Sequence, residues 1–222
     1  MEANNRSRPI SNGMDIYFVR HGQTGSNARR VHQYPNTPLT ALGREQALSA
    51  AEHLRAMNID CIVTSDYKRA QETSSIIGNV LSISPIQNPL FHEIRRPAKL
   101  YSKSHFHPLT VWYVIETVLR RGNPGWHYDD AENLPDVRKR VHEALMFLES
   151  LGENKKSIAV VSHTIFINLL VAYMCKNRVL DLRDLVPHLL HVLTMRNGGV
   201  LHLKHNEAKN ECGCAWQLEH AT

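Results

Sequence analysis

Two histidines in this chain each close a short apolar run. Ile16-Tyr17-Phe18-Val19 leads into Arg20-His21-Gly22, and Ile158-Ala159-Val160-Val161 leads into Ser162-His163. A third run, Ile59 to Thr64, stops just short of Arg69. A buried strand needs neither a guanidinium nor an imidazole, and burying one unpaired is costly. Two arginines beside two histidines suit a tetrahedral oxyanion. Guanidinium groups bond bidentately to phosphoryl oxygens and offset the charge spread over them. A neutral imidazole can attack phosphorus and carry the group as phosphohistidine, while a second one donates to a non-bridging oxygen. The departing alkoxide needs a proton, which a carboxylic acid can supply. A phosphate dianion close by raises the pKa of that acid and favours the protonated donor. The residues alone leave this acid open among Glu93, Glu116, Asp129, Asp130 and Glu132. Gly22, with no side chain, is expected where the backbone passes close to the anion.

These groups converge only if the runs that carry them are neighbouring strands. Thr40 caps a helix expected over Ala41 to Met57, and a second helix follows Ile59–Ser65 from Asp66 to near Gly78 or a little later. Ser82 to Ile86 reads as a brief strand. A helix starts after Pro135 and runs to about Leu151, the strand Ser157–Val161 comes next, and another helix begins at Thr164. Two strand-like stretches lie between Val186 and His205 around Asn197-Gly198-Gly199, and Trp216 to Leu218 reads as an edge strand. Strands alternating with helices predict an α/β fold, with a mostly parallel sheet covered by helices. In such sheets ligands sit at the carboxyl ends of the strands. Residues 1–13 read as a loose tail and 14–222 as a single domain. Residues 92–134 break the rhythm with Pro97, Pro108, Pro124 and one helix at Leu109–Leu119. They are expected to form an excursion over the cleft that chooses the substrate.

Bulk properties narrow the ligand. The 222 residues carry a formal net charge of +5 with 14 histidines counted as neutral. Arginine and lysine occur in small clusters, Arg29-Arg30, Arg95-Arg96, Arg120-Arg121 and Arg138-Lys139-Arg140, and never in a run of five. That disfavours nucleic acid and suits a small anion. Arg95 and Arg96 are candidates to hold a second phosphate or a carboxylate of the substrate. The most apolar later run, Ile165–Met174, is short and interrupted by Asn168, so no membrane span is expected. With no secretory apolar stretch at the start, a cytoplasmic setting is the default. A homodimer is compatible with the chain. The histidines of the excursion, His92, His105, His107 and His127, read as a polar lid. His202, His205, Cys212 and Cys214 are zinc-ligand residue types close together in sequence. Cys-x-Cys is tighter than the usual knuckle, so no metal is expected there. The phosphoryl chemistry calls for no cofactor, because the arginines supply the charge.

The motifs resemble a known family. Arg20-His21-Gly22-Gln23-Thr24 with Asn27 is similar to the signature of the histidine phosphatase superfamily, the phosphoglycerate mutase-like proteins. Asn36–Ala47, Val63–Ile77, Asn88–Pro97 and Val160–Tyr173 resemble its further motifs in the family's order. The resemblance implies a three-layer α/β/α sandwich and a phosphatase acting on small phosphomonoesters, with a small phosphorylated metabolite as partner. It implies His21 as nucleophile, Arg20 and Arg69 as phosphoryl clamps, and His163 completing the phosphate pocket. Glu93 becomes the proton donor and then the base that activates water. Asn27 and the Thr164 backbone amide are implied as secondary contacts. Many members have glycine where this chain has Thr164. The segment after Glu93, Ile94-Arg95-Arg96-Pro97, resembles a phosphatase-like branch more than the long insert of glycolytic mutases. The alternatives are a phosphomutase using the same residues and a non-catalytic phospholigand-binding protein.

Overall fold

The computed structural model describes residues 13–120, 122–175, 195–206 and 214–221. Six strands form one sheet: β1 (Asp15–Arg20), β2 (Cys61–Thr64), β3 (Ile86–Gln87), β4 (Ser157–Ser162), β5 (Val200–His205) and β6 (Trp216–Ala221). Their order is β3-β2-β4-β1-β5-β6. β3, β2, β4 and β1 run parallel, β5 pairs antiparallel with β1, and β6 pairs antiparallel with β5. The three runs that end in chemistry are therefore adjacent strands, with β4 in the middle.

Alternation along the strands builds a core on each face. Ile16, Phe18, Val63, Ile158 and Val160 pack on one side with α5 (Leu134–Gly152) and α6 (Thr164–Cys175). Tyr17, Val19, Ile62, Ala159 and Val161 pack on the other with α2 (Ala41–Arg55) and α3 (Lys68–Leu81). The result is the expected three-layer α/β/α sandwich with a mostly parallel sheet. Thr40 caps α2 by accepting the Gly43 amide at 3.0 Å. Asn133 and Asp136 form a reciprocal capping box on α5, with Pro135 in its first turn.

Some local expectations needed correction. A four-residue helix, α1 (Gly25–Ala28), follows β1, closed by a capping box between Thr24 and Asn27. One turn is too short to show a hydrophobic period. The strand expected over Ser82–Ile86 shrinks to Ile86–Gln87. Ser82 takes a left-handed φ of 58° that ends α3, and Pro85 has no N–H to give a ladder. The excursion holds two 3-10 turns, Pro89–Phe91 and Ala98–Leu100, and the helix α4 (Pro108–Leu119). It has its own small core of Leu100, Tyr113 and Ala131, with Tyr128 against them. Hydrogen bonds from His32 N to Lys103 O and from Ser102 N to His32 O tie it to the loop after α1. The N-terminal tail up to residue 12, the strand-like stretch before residue 195, and Cys212-Gly213 lie outside the described residues. Among those described, no helix is long and apolar enough to cross a membrane.

Candidate active site

Register sets the site. Arg20 at the end of β1 lies opposite Ser162 at the end of β4, and Thr64 at the end of β2 lies opposite Val161. His21, His163 and Ser65 therefore leave three neighbouring strands at the same edge. His21 is buried, and its Nδ1 lies 2.7 Å from the Gly22 carbonyl. A carbonyl only accepts, so Nδ1 carries the proton. Nε2 keeps the lone pair and accepts a 3.2 Å hydrogen bond from Arg69 Nε. Burial, then the charges of Arg69 and Arg20, hold the His21 pKa well below its ordinary value, against a smaller upward pull from the Gly22 bond. His163 is fully buried behind it, with ring centroids 5.1 Å apart. Its Nε2 meets Ser65 Oγ at 2.9 Å, and its buried Nδ1 makes no hydrogen bond among the described residues. Burial and then Arg69 also push its pKa well down.

The two arginines are held from behind. Arg69, in the first turn of α3, donates from Nη1 to the Tyr34 carbonyl at 3.1 Å and lies 5.0 Å from the Tyr67 ring. Burial brings its pKa down to about 10, with Glu93 opposing the shift. Arg20 Nη1 donates to the Met195 carbonyl at 2.6 Å, while its buried Nε makes no hydrogen bond among the described residues. A buried cation in the first turn of a helix, with a second one beside it at the end of β1, is unfavourable in isolation and fits an anion as third partner.

A cleft of about 200 Å³ opens on this cluster, lined by Arg20, His21, Asn27, Arg69, Glu93, Arg96, Thr164 and others. Glu93 is the one carboxylate lining it among the described residues. Its oxygens accept the amides of Ile94 at 3.0 Å, Phe166 at 3.1 Å and Ile165 at 3.3 Å, so the start of α6 orients it. The other acids are engaged elsewhere: Glu116 with Arg120, Asp129 with Lys99, Asp130 with the Ala98 amide, and Glu132 with Arg140. The adjacent arginines part company. Arg96 lines the cleft, whereas Arg95 is turned into a neighbouring groove with Asp66, Lys68 and Gln71. The two arginines thus line adjoining depressions rather than one, because successive residues of an extended segment point to opposite sides. The role of Gly22 is corrected. A Cβ there would meet the Gly43 carbonyl oxygen of α2 at 2.1 Å, so the contact that demands glycine is with a helix.

Comparison with known proteins places the chain in a family. The model of the histidine phosphatase superfamily (branch 1) matches residues 16–208.

The chain belongs to the histidine phosphatase superfamily.

It is 32% identical over 164 residues to a protein of Enterobacter sp. (strain 638) named "Probable phosphoglycerate mutase GpmB", covering 72% of this chain and 74% of that one. A namesake from Yersinia enterocolitica is 26% identical over 94% of this chain and 92% of its own length. Among solved structures, the mycobacterial glucosyl-3-phosphoglycerate phosphatase Rv2419c complexed with VO3 aligns with a TM-score of 0.73 at 22% identity. The alignment covers 93% of this chain and 98% of that one. The alpha-ribazole phosphatase from Shigella flexneri aligns with a TM-score of 0.70 at 21% identity, over 93% and 95%. At that identity the structural likeness speaks for the fold.

Several further residues that escaped the sequence reading complete the candidate site. Ser65 supports His163, Thr73 Oγ1 accepts the Gly22 amide at 3.1 Å, and Asn197 Nδ2 donates to the His21 carbonyl at 3.1 Å. Ser65 was within reach, because it follows β2 directly, as His163 follows β4. Asn197 read only as a turn residue, and its pairing with β1 depends on the antiparallel return of β5. Tyr67, Tyr101 and His105 line the cleft as well. The histidines of the excursion are dispersed. His105 packs on His32, His92 stacks on Tyr67, His107 caps α4 and His127 pairs with Asp136. Among the described residues, no cluster of three or more metal-ligating side chains occurs.

Proposed function

We propose that this protein is a phosphatase that hydrolyses small phosphomonoesters through a phosphohistidine at His21. The observation that carries it is the hydrogen bonding of the two His21 ring nitrogens. Nδ1–H is committed to the Gly22 carbonyl, and the lone pair of Nε2 faces Arg69 at 3.2 Å inside the cleft. A neutral ring with Nε2 exposed to an arginine-lined site is a nucleophile ready at neutral pH. In the first step Nε2 attacks phosphorus in line, the P–O bond to the alcohol breaks, and Glu93 gives its proton to the leaving oxygen. Arg20, Arg69 and His163 Nδ1 hold the equatorial oxygens. In the second step Glu93 takes a proton from water, which displaces the phosphoryl group from His21 as inorganic phosphate. Asn27 and Thr164 at the cleft wall make secondary contacts, and Arg96, which lines the same cleft, meets the leaving group in this reading.

A screen of phosphorylated metabolites with wild-type protein and His21→Ala tests this. Turnover should vanish with the substitution, and an acid-labile phosphoenzyme should be trapped only with wild type. A variant retaining most of its activity would sink the mechanism. The name carried by the 32% relative supports a second reading, a phosphomutase in which the phosphoryl group returns to an acceptor alcohol. Product analysis after incubation with a bisphosphorylated acid separates the two, since a phosphatase releases inorganic phosphate.

A further inference from the structure

Glu93 sits on a loop without regular structure, yet the proposed chemistry needs its carboxyl fixed to a fraction of an ångström. What fixes the loop is a buried ion pair. Arg140, in the second turn of α5, donates from Nε and Nη2 to the two oxygens of Glu132, at 2.8 and 2.7 Å. Both residues are buried. Burial works to raise the Glu132 pKa, but the Arg140 bonds and charge outweigh it and hold the group as carboxylate.

Further side-chain hydrogen bonds of the pair, and the Glu132 backbone amide, reach residues on both sides of Glu93. Arg140 Nη1 donates to the Leu90 carbonyl at 3.0 Å and the His92 carbonyl at 2.9 Å. Glu132 Oε2 accepts the Arg95 amide at 2.9 Å, and the Glu132 amide donates to the Arg95 carbonyl at 3.1 Å. The Arg140 guanidinium also lies 4.6 Å from the ring of Phe166, the residue whose amide holds Glu93 Oε1. The pair thus grips the loop before and after Glu93 and packs against the helix start that receives it.

For stability alone, an apolar pair of similar volume would serve as well or better than buried charges. An apolar pair cannot bond two carbonyls and an amide of an irregular loop, as these two side chains do. We propose that Glu132 and Arg140 are positioning residues that hold the Glu93 loop against α6 and thereby set the rate of proton transfer to the leaving group. The clamp has this role only if Glu93 is the acid–base group proposed above.

The test is a leaving-group comparison with Arg140→Lys. Lysine keeps the charge opposite Glu132 but cannot reach both loop carbonyls while pairing with it. The quantity to read is kcat/KM, which reports steps up to formation of the phosphoenzyme. An alkyl ester such as glycerol phosphate needs a protonated leaving group, whereas p-nitrophenyl phosphate does not. The expected result is a loss of roughly 10–100-fold on the alkyl ester and less than about 3-fold on the aryl ester. Glu93→Gln should show the same split, and orthovanadate binding should be kept. Equal losses on both esters, or no loss on either, in a folded variant would overturn the proposal. If Arg140→Lys does not fold, Glu132→Gln is read in its place. It keeps an acceptor for the Arg95 amide, and the same split, at roughly 5–10-fold, is expected. No turnover of either ester by wild-type protein would instead overturn the phosphatase reading, before any substitution is made.

Discussion

His21 and His163 pay in stability for their chemical state. Both are buried and held neutral, whereas in the unfolded chain each titrates near its ordinary value of about 6.5. As pH falls below that value, the unfolded chain binds protons that the folded protein refuses. Stability therefore drops from about pH 6.5 down to the folded pKa values, by up to about 1.4 kcal/mol per pH unit for each histidine. Urea midpoints measured between pH 7.5 and 5 should fall at least this steeply, since burial also holds His32 down to about 4, and His21→Asn should remove the His21 share of the slope. The same depression keeps Nε2 of His21 unprotonated in mild acid. The acid limb of kcat/KM attributable to His21 should consequently lie below pH 6.5. A limb at or above that value would contradict the burial argument.

At the scale of elements, the turn after β1 is fixed by contact with α2. The Gly22 Cβ position is 2.1 Å from the Gly43 carbonyl oxygen, and the Gly43 Cβ position is 2.1 Å from the Gln23 carbonyl oxygen. Two backbones pass here with no room for either side chain. Gly22→Ala and Gly43→Ala should each cost about 3 kcal/mol, since backbone rather than a flexible side chain must yield. Denaturant midpoints will show it, and Gly25→Ala serves as control because nothing lies within 4 Å of its Cβ position. The motif glycine was legible as a requirement, but its reason was not. Spacing showed that the backbone passes something closely, and only the packing of α2 shows what.

For the molecule as a whole, ligand binding should stabilise the fold through the strand ends that it joins. Orthovanadate, as a mimic of the transferred group, should raise the melting temperature. At a hundred times its dissociation constant the gain is about 2.7 kcal/mol. Arg69→Gln should abolish most of the shift, since Arg69 reaches the cleft and His21 Nε2. Arg95→Gln should leave it intact, because Arg95 lines the adjacent groove. An equal effect of the two substitutions would place the phosphoryl site elsewhere.

The local sequence determined the strands and their charged ends. Apolar runs of Ile16–Val19 and Ile158–Val161, each followed by polar residues, predict buried strands delivering side chains at one edge. The ordered motifs made His21, Arg20, Arg69 and His163 recognisable as a set. Tertiary structure decided which partners those groups meet. The order β2-β4-β1 brings His163 behind His21, the return of β5 brings Asn197 to the His21 carbonyl, and the start of α6 takes hold of Glu93. Arg95 and Arg96 have equal standing in sequence, and the path of the loop between Glu132 and α6 separates them. Short-range pattern encodes burial and local conformation, whereas hydrogen bonds across about 70 to 180 residues of chain exist only once the sheet has assembled.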